Sequence, residues 1–127
     1  MTAPFFELVV PGNPLPKARP RVMRGHTYTP AATKDAEKVI LDAAIELRAK
    51  TDLFCIEQPI RVELEFVRGN RRRCDLDNLA KLVLDALNGE VWADDSLIVE
   101  LRVTKAVDKA RPRTVVRVWL EPIEEAA

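Results

Sequence analysis

The sequence predicts a single α+β domain, residues 1–127, with the element order β-α-β-α-β-β. Length is the first reason: 127 residues suit one ordinary domain and leave no room for a second. Composition is the second. Apolar residues are 47% of the chain, enough for a core that buries about two-thirds of the unfolded surface. The third is periodicity: two stretches repeat apolar residues at helical spacing and several alternate them with period two.

Taken in order, Phe5 to Val10 is rich in β-formers and reads as a strand, stopped by Pro11-Gly12. Five of the nine prolines fall in the first twenty residues. The segment Pro11–Arg21 is therefore an extended loop, because proline excludes both helix and central strand. Lys17, Arg19 and Arg21 alternate along it and point the same way if it is extended. Arg24-Gly25 suggests a small hairpin turn before Tyr28. Thr29-Pro30 suggests an N-cap followed by the first helical residue. Ala36, Val39, Ile40, Ala43, Ala44 and Leu47 then predict a helix over about Ala31–Ala49.

Ile60, Val62, Leu64 and Phe66 alternate with Arg61, Glu63 and Glu65, the pattern of a half-buried strand. Arg68 to Cys74 is a basic loop. Leu76, Leu79, Ala80, Val83, Ala86 and Leu87 form a second helical stripe, closed by Asn88-Gly89 with Gly89 suited to a left-handed C′ position. Trp92–Ser96 reads as a loop. Val99, Leu101 and Val103 predict a third strand, and Val116, Val118 and Leu120 a fourth, after a basic turn around Lys109–Arg113.

Several classes of protein are excluded. No stretch reaches the 18 or so apolar residues of a membrane-spanning helix. The N-terminus has no basic residue before Glu7, which makes a poor signal peptide. Cys55 and Cys74 are too few for a disulfide framework or a four-ligand zinc site, and His26 is alone. The expectation is a soluble, reduced, cytoplasmic protein, with Cys74 a small packed side chain, His26 on the surface or in a loop, and Trp92 and Trp119 in a core or interface. Aromatic residues are 6% of the chain, too few for single-strand binding by stacking.

Net charge is zero, but the charge is segregated. Pro11 to His26 holds four basic residues and no acid, Arg68 to Arg73 four arginines and no acid, and Arg102 to Arg117 six basic residues against Asp108. Such runs are ordinary as solvated surface. Three together also suit a basic face for a phosphate backbone.

Asp75, Asp77, Asp94 and Asp95 lie at predicted element ends, the first two directly after an arginine run. Helix capping is a sufficient role for Asp75 or Asp77. A shared site for both needs Asp75 extended before the helix and Asp77 at its start, since positions i and i+2 of a helix diverge by about 200°. Of the adjacent pair Asp94 and Asp95, one at most faces inward. Lys81 lies one turn from both Asp77 and Asp85 and can pair with either. Carboxylates without a histidine or thiolate cluster are hard ligands that suit Mg²⁺ or Mn²⁺. Beside arginines, that points to phosphodiester hydrolysis. The metal polarises the phosphate, the arginines hold the backbone, and a lysine offsets developing charge.

These residues carry a resemblance to the RusA family of Holliday junction resolvases, small endonucleases often found in prophages. It lies in Gly12-x-Pro14-x-Pro16-Lys17-x-Arg19-Pro20-Arg21 and Thr27-Tyr28-Thr29-Pro30. It continues in Asp75-Leu76-Asp77-Asn78-Leu79-x-Lys81 and Asp85-Ala86-Leu87-Asn88-Gly89, then Asp94-Asp95-Ser96-x-Ile98 and Lys105. The resemblance implies a mixed four-stranded sheet flanked by two helices, and a magnesium-dependent homodimer that resolves four-way DNA junctions by paired nicks in recombination and repair. It further implies Asp75, Asp77 and Asp95 as metal ligands and catalytic residues, and Lys81 as a catalytic lysine. DNA contacts are expected from Lys17, Arg19, Arg21, Arg71, Arg72 and Arg73. Some members place a basic residue immediately before the first aspartate; here that residue is Cys74.

A dimer also suits the substrate. A four-way junction has two-fold symmetry, and a C2 pair of single-site subunits supplies two cutting centres related by the same operator. Its surface is expected at a sheet edge or on the first helix. The competing expectation is a non-catalytic module that binds branched DNA; three acids beside phosphates are a poor design for a pure binder. A nuclease for flaps or RNA is a third reading.

Overall fold

In the computed structural model the helical and alternating patterns resolve into one four-stranded mixed sheet with two helices on one face. The structure describes residues 2–18, 21–23, 25–28, 30–123 and 125–126. The strands of the sheet are β1 (Phe6–Pro11), β4 (Ile60–Arg68), β5 (Ile98–Val107) and β6 (Arg113–Leu120), in the spatial order β1-β6-β4-β5. β6 runs antiparallel to both β1 and β4, and β4 runs parallel to β5. A parallel pair needs a long crossover, and helix α2 (Leu76–Leu87) is that crossover. Helix α1 (Ala31–Thr51) packs beside α2 and over β1.

Alternation decides which side chains the helices cover. Phe6, Leu8 and Val10 of β1, Val116 and Val118 of β6, and Ile60, Val62, Leu64 and Phe66 of β4 form one buried layer. Ile40 and Ala44 of α1 and Leu79, Leu82, Val83, Ala86 and Leu87 of α2 complete it. Trp92 is fully buried in the same cluster, and Trp119 is buried with Arg61 stacked 4.0 Å over its ring. The opposite face of the sheet carries a charged cluster among Val9, Val67, Val115 and Trp119. There Arg117 binds Glu7 at 2.8 Å and Glu63 and Glu65 at 3.2 Å each. Cys74 is half-buried against the core, as a small packed side chain should be.

Several expectations change in detail. The hairpin forms, with β2 (Arg21–Met23) paired to β3 (His26–Tyr28) and Gly25 at φ 78°. Arg24 and Thr29 lie outside the described residues, as does the side chain of His26. Pro30 is not the first helical residue of α1 but its cap, with ψ at 144°. Its carbonyl accepts the N–H groups of Thr33 and Lys34, which is what a capping residue's carbonyl does. The helix runs two residues beyond Ala49, to Thr51, and ends on Asp52 at φ 58°. Aspartate tolerates that left-handed turn.

Arg68 belongs to β4, so the basic loop begins at Gly69. Gly89 takes the positive φ expected of it, 84°, within a turn in which Glu90 N–H donates to Leu87 O at 3.0 Å. With Asn88 extended, that is a type II turn rather than a continued helical cap. Within the expected 92–96 loop a single 3₁₀ turn begins, Asp95–Leu97, capped by Asp94. The largest departure is β5. It lies at the edge that the helices leave largely uncovered, so its alternating residues stay accessible: Val99, Leu101 and Val107 are exposed and only Val103 on that row is half-buried. No described helix is long and apolar enough to cross a membrane.

Candidate active site

Asp75 precedes α2 in extended conformation (φ −77°, ψ 132°) and Asp77 stands in the first helical turn. The backbone therefore has the bend that a joint role for the two requires. Asp75 caps the helix through its carbonyl, which accepts Leu79 N–H at 3.1 Å, and its side chain makes no capping bond. The carboxylate is exposed and uncommitted to the cap. Asp77 Oδ1 accepts the N–H of Asn78 at 3.0 Å, one of the donors a helix start leaves unpaired. The helix dipole also favours negative charge there.

Between α2 and β5 lies an open groove of about 400 Å³. Asp77, Lys81 and Asp85 reach it from α2, Asp95 from the 3₁₀ turn, and Leu101 and Val103 from β5. Asp95 is the best-anchored of the acids. Its Oδ1 accepts from Trp92 Nε1 at 2.7 Å, and its own N–H donates to Asn88 Oδ1 at 2.8 Å. Asp94 is turned to a different task. Its Oδ2 accepts Ser96 N–H at 2.9 Å, and the Ser96 hydroxyl and N–H hold its carboxyl below the usual range. The adjacent pair thus divides into one capping acid and one groove acid.

Lys81 is exposed at the groove, its Nζ 3.9 Å from Asp85 Oδ2. Asp85 is held more closely by Lys17, at 2.8 Å. Lys17 also binds Glu37 at 2.8 Å, and its backbone N–H donates to Asn78 O at 2.9 Å. Burial lowers the Lys17 pKa, but hydrogen bonds to Asp85 and Glu37 outweigh it and hold the ammonium above its ordinary value. Lys17, expected among the DNA contacts, is thus paired with two carboxylates and ties the proline-rich segment to both helices. Arg19 lies outside the described residues, and of Arg21 only the backbone is described.

Asp77 and Asp95 line the groove, whereas Asp75 does not. Among the described residues no three Asp, Glu, His or Cys side chains converge on a metal-sized site. The donor chemistry still fits magnesium, which takes one or two carboxylates and leaves its other positions to water and phosphate. Groove-lining nitrogen comes only from Lys81, with no imidazole or thiolate to favour a softer metal.

Arg71, Arg72 and Arg73 are exposed in the loop before Asp75. Lys105 of β5 stands beside them and donates to Cys74 O at 2.8 Å. The third basic run contributes less positive surface than its count suggests, because Arg113 pairs with Asp108 at 3.4 Å and Arg117 with three glutamates. Sequence reasoning assigned no role to Lys105 or to the two apolar β5 residues of the groove. Lys105 stood out as part of the resemblance; for Leu101 and Val103 the signal was their shared parity on one strand, which places a face but not the helix it meets.

A family model described as Endodeoxyribonuclease RusA matches residues 11–119. The chain is 30% identical over 105 residues to "Crossover junction endodeoxyribonuclease RusA" of Escherichia coli (strain K12), covering 79% of this chain and 82% of that protein. The Shigella sonnei (strain Ss046) protein of the same name matches with the same identity and coverage. That of Enterobacteria phage 82 is 41% identical over 51 residues, 39% of this chain and 42% of its own. The family match runs from Pro11, the last residue of β1, into β6, so it takes in both helices and everything that builds the groove; the chain belongs to the RusA family of endodeoxyribonucleases.

Proposed function

We propose that this protein is a magnesium-dependent endonuclease that resolves four-way DNA junctions by paired nicks, working as a homodimer in the cytoplasm. The observation that carries the reading is the common groove of Asp77, Asp95 and Lys81 next to the loop Arg71–Arg73. Its supports are the family and the relatives' names.

Asp77 and Asp95 would hold the metal, with Asp75, one residue outside the helix, as the third carboxylate. Bound there, a divalent ion supplies Lewis-acid polarisation of the scissile phosphate and a more acidic water. The arginine loop binds the strand through its phosphates, which positions it without reading sequence. Lys81 brings its ammonium to the charge that develops on the phosphate. Trp92 and Asn88 keep Asp95 aimed into the groove, an orienting role that carboxylate ligands commonly need. The exposed apolar residues of the β5 edge, Val99, Leu101 and Val107, offer a surface for a second copy.

The test is cleavage of an immobile four-way junction and a linear duplex of equal length, each with Mg²⁺ and with EDTA. Paired nicks on the junction alone, dependent on Mg²⁺, are expected. Asp77→Asn should bind the junction and not cut it. Cutting by that variant at the wild-type rate would reject the metal-site assignment. Tight junction binding with no cutting by the wild type would favour a non-catalytic module.

A further inference from the structure

Arg68, the last residue of β4, is 6% exposed. Its Nη1 donates to Arg72 O at 2.7 Å. Its Nε is the one buried side-chain polar atom among the described residues with no partner. No described carboxylate pairs with this guanidinium. The other withdrawn cations of the fold behave differently: Lys17, Arg48 and Arg117 each have at least one carboxylate within 2.8 Å. Burying an ion without a counter-charge and leaving a donor unmade are both unfavourable. Such a group is incomplete until an acceptor arrives.

The acceptor has a place to bind. Arg68 lines a groove of about 290 Å³ with Asn70, Arg71, Arg72, Arg73 and Lys105, and no acidic side chain lines it. We propose that this groove is a phosphate subsite in which Arg68, Arg72 and Lys105 hold one non-scissile phosphate of the bound strand. A guanidinium fork matches a tetrahedral oxyanion, and a phosphate group brings the missing counter-charge. The groove has no carboxylate to hold a metal, so it binds and does not cut. Its neighbour does have them, and both grooves border β5: Val103 lines the acidic one and Lys105 the basic one. Two residues along a strand span about 7 Å, a distance of the order of one nucleotide step. Lys105 also pins Cys74 O, so the loop that carries the subsite leads directly into Asp75. The subsite's part in cutting rests on the nuclease reading of the aspartates; the anion site itself does not.

The test uses full-length ¹⁵N-labelled protein in EDTA. It is titrated with the immobile junction, and separately with sodium phosphate against chloride of equal ionic strength. The readout is the Arg68 Nε–H resonance, assigned by its loss in Arg68→Lys. It is expected to shift with the junction. Arg68→Met should weaken junction binding and reduce the slope of log K against log salt by about 0.9, the share of one phosphate contact. Arg68→Lys keeps the charge and should keep the slope, which preserves the comparison if the methionine variant does not fold. A shift with free phosphate as well supports an anion site open to solvent. A shift with phosphate alone, with slope and affinity unchanged in Arg68→Met, overturns the assignment to DNA. No shift with either ligand overturns the subsite altogether. Junction cleavage by the wild type in Mg²⁺ is scored in parallel. Cutting with a silent Arg68 refutes the subsite only, whereas loss of both binding and cutting refutes the nuclease reading.

Discussion

Asp95 depends on Trp92 more than on any charge. The indole N–H reaches its Oδ1 at 2.7 Å from a fully buried ring. Trp92→Phe keeps most of the core volume and removes that donor. Cleavage should fall about 10–100-fold, as when an orienting partner of a metal ligand is lost, against a stability cost of about 1–3 kcal/mol. Single-turnover cleavage beside urea unfolding would separate the two. Lys17 and Asp94 make opposite contributions to pH dependence. The Lys17 pKa is raised in the folded state by Asp85 and Glu37. Its stabilisation is complete below its unfolded value and disappears as pH rises through the folded one, so it weakens only in strongly alkaline solution. The Asp94 pKa is lowered by Ser96, so its stabilisation disappears as pH falls through the acid range. In Lys17→Met the alkaline loss of stability should be smaller than in the wild type, measured by thermal unfolding across pH.

Helix ends aim the site. The type II turn after α2 places Asn88 where its Oδ1 receives Asp95 N–H, and Gly89 makes that turn possible at φ 84°. A Cβ at Gly89 would meet nothing within 4 Å. Gly89→Ala therefore introduces no clash and costs only the left-handed backbone, about 1–2 kcal/mol. Its larger effect should be on catalysis, because the turn that carries Asn88 would relax. Equal losses in stability and in cleavage would show that Asn88 does not aim Asp95. The start of α2 was readable from sequence as an element, since Leu76 opens a clear stripe and aspartates suit a helix N-terminus. The division of labour between Asp94 and Asp95 was not. Adjacent residues of one type carry no sequence signal for which one caps and which faces the groove.

In the whole molecule two helices cover one face of the sheet and leave the β5 edge exposed. Leu64 is fully buried between the helices and the neighbouring strands, and Leu64→Ala should cost about 2–5 kcal/mol in chemical denaturation. Val99 lies on the exposed β5 edge, outside the acidic groove. If that edge joins two copies, Val99→Lys should shift the protein from dimer to monomer in sedimentation, with its circular dichroism unchanged, and junction cleavage should fall with it. A wild-type protein that sediments as a monomer at working concentration would count against the dimer.

Local physics made much of this protein legible in one dimension. Prolines forced the extended opening, period-two alternation marked Ile60 to Phe66, and the stripe from Leu76 to Leu87 marked α2 to the residue. The acids and arginines that resemble the family were visible as a pattern, because motif spacing is a property of the chain. Tertiary structure decided which charges were free. Lys17 looked like a phosphate ligand in a basic run and became a clamp between Glu37 and Asp85, 20 and 68 residues away. Val99 and Leu101 marked a strand by alternation and stayed exposed because the helices leave the β5 edge of the sheet largely uncovered. Arg68 looked like one more loop cation and was withdrawn into the end of β4 without a counter-ion among the described residues. Periodicity specifies a residue's face, whereas burial and pairing depend on what distant segments bring to that face.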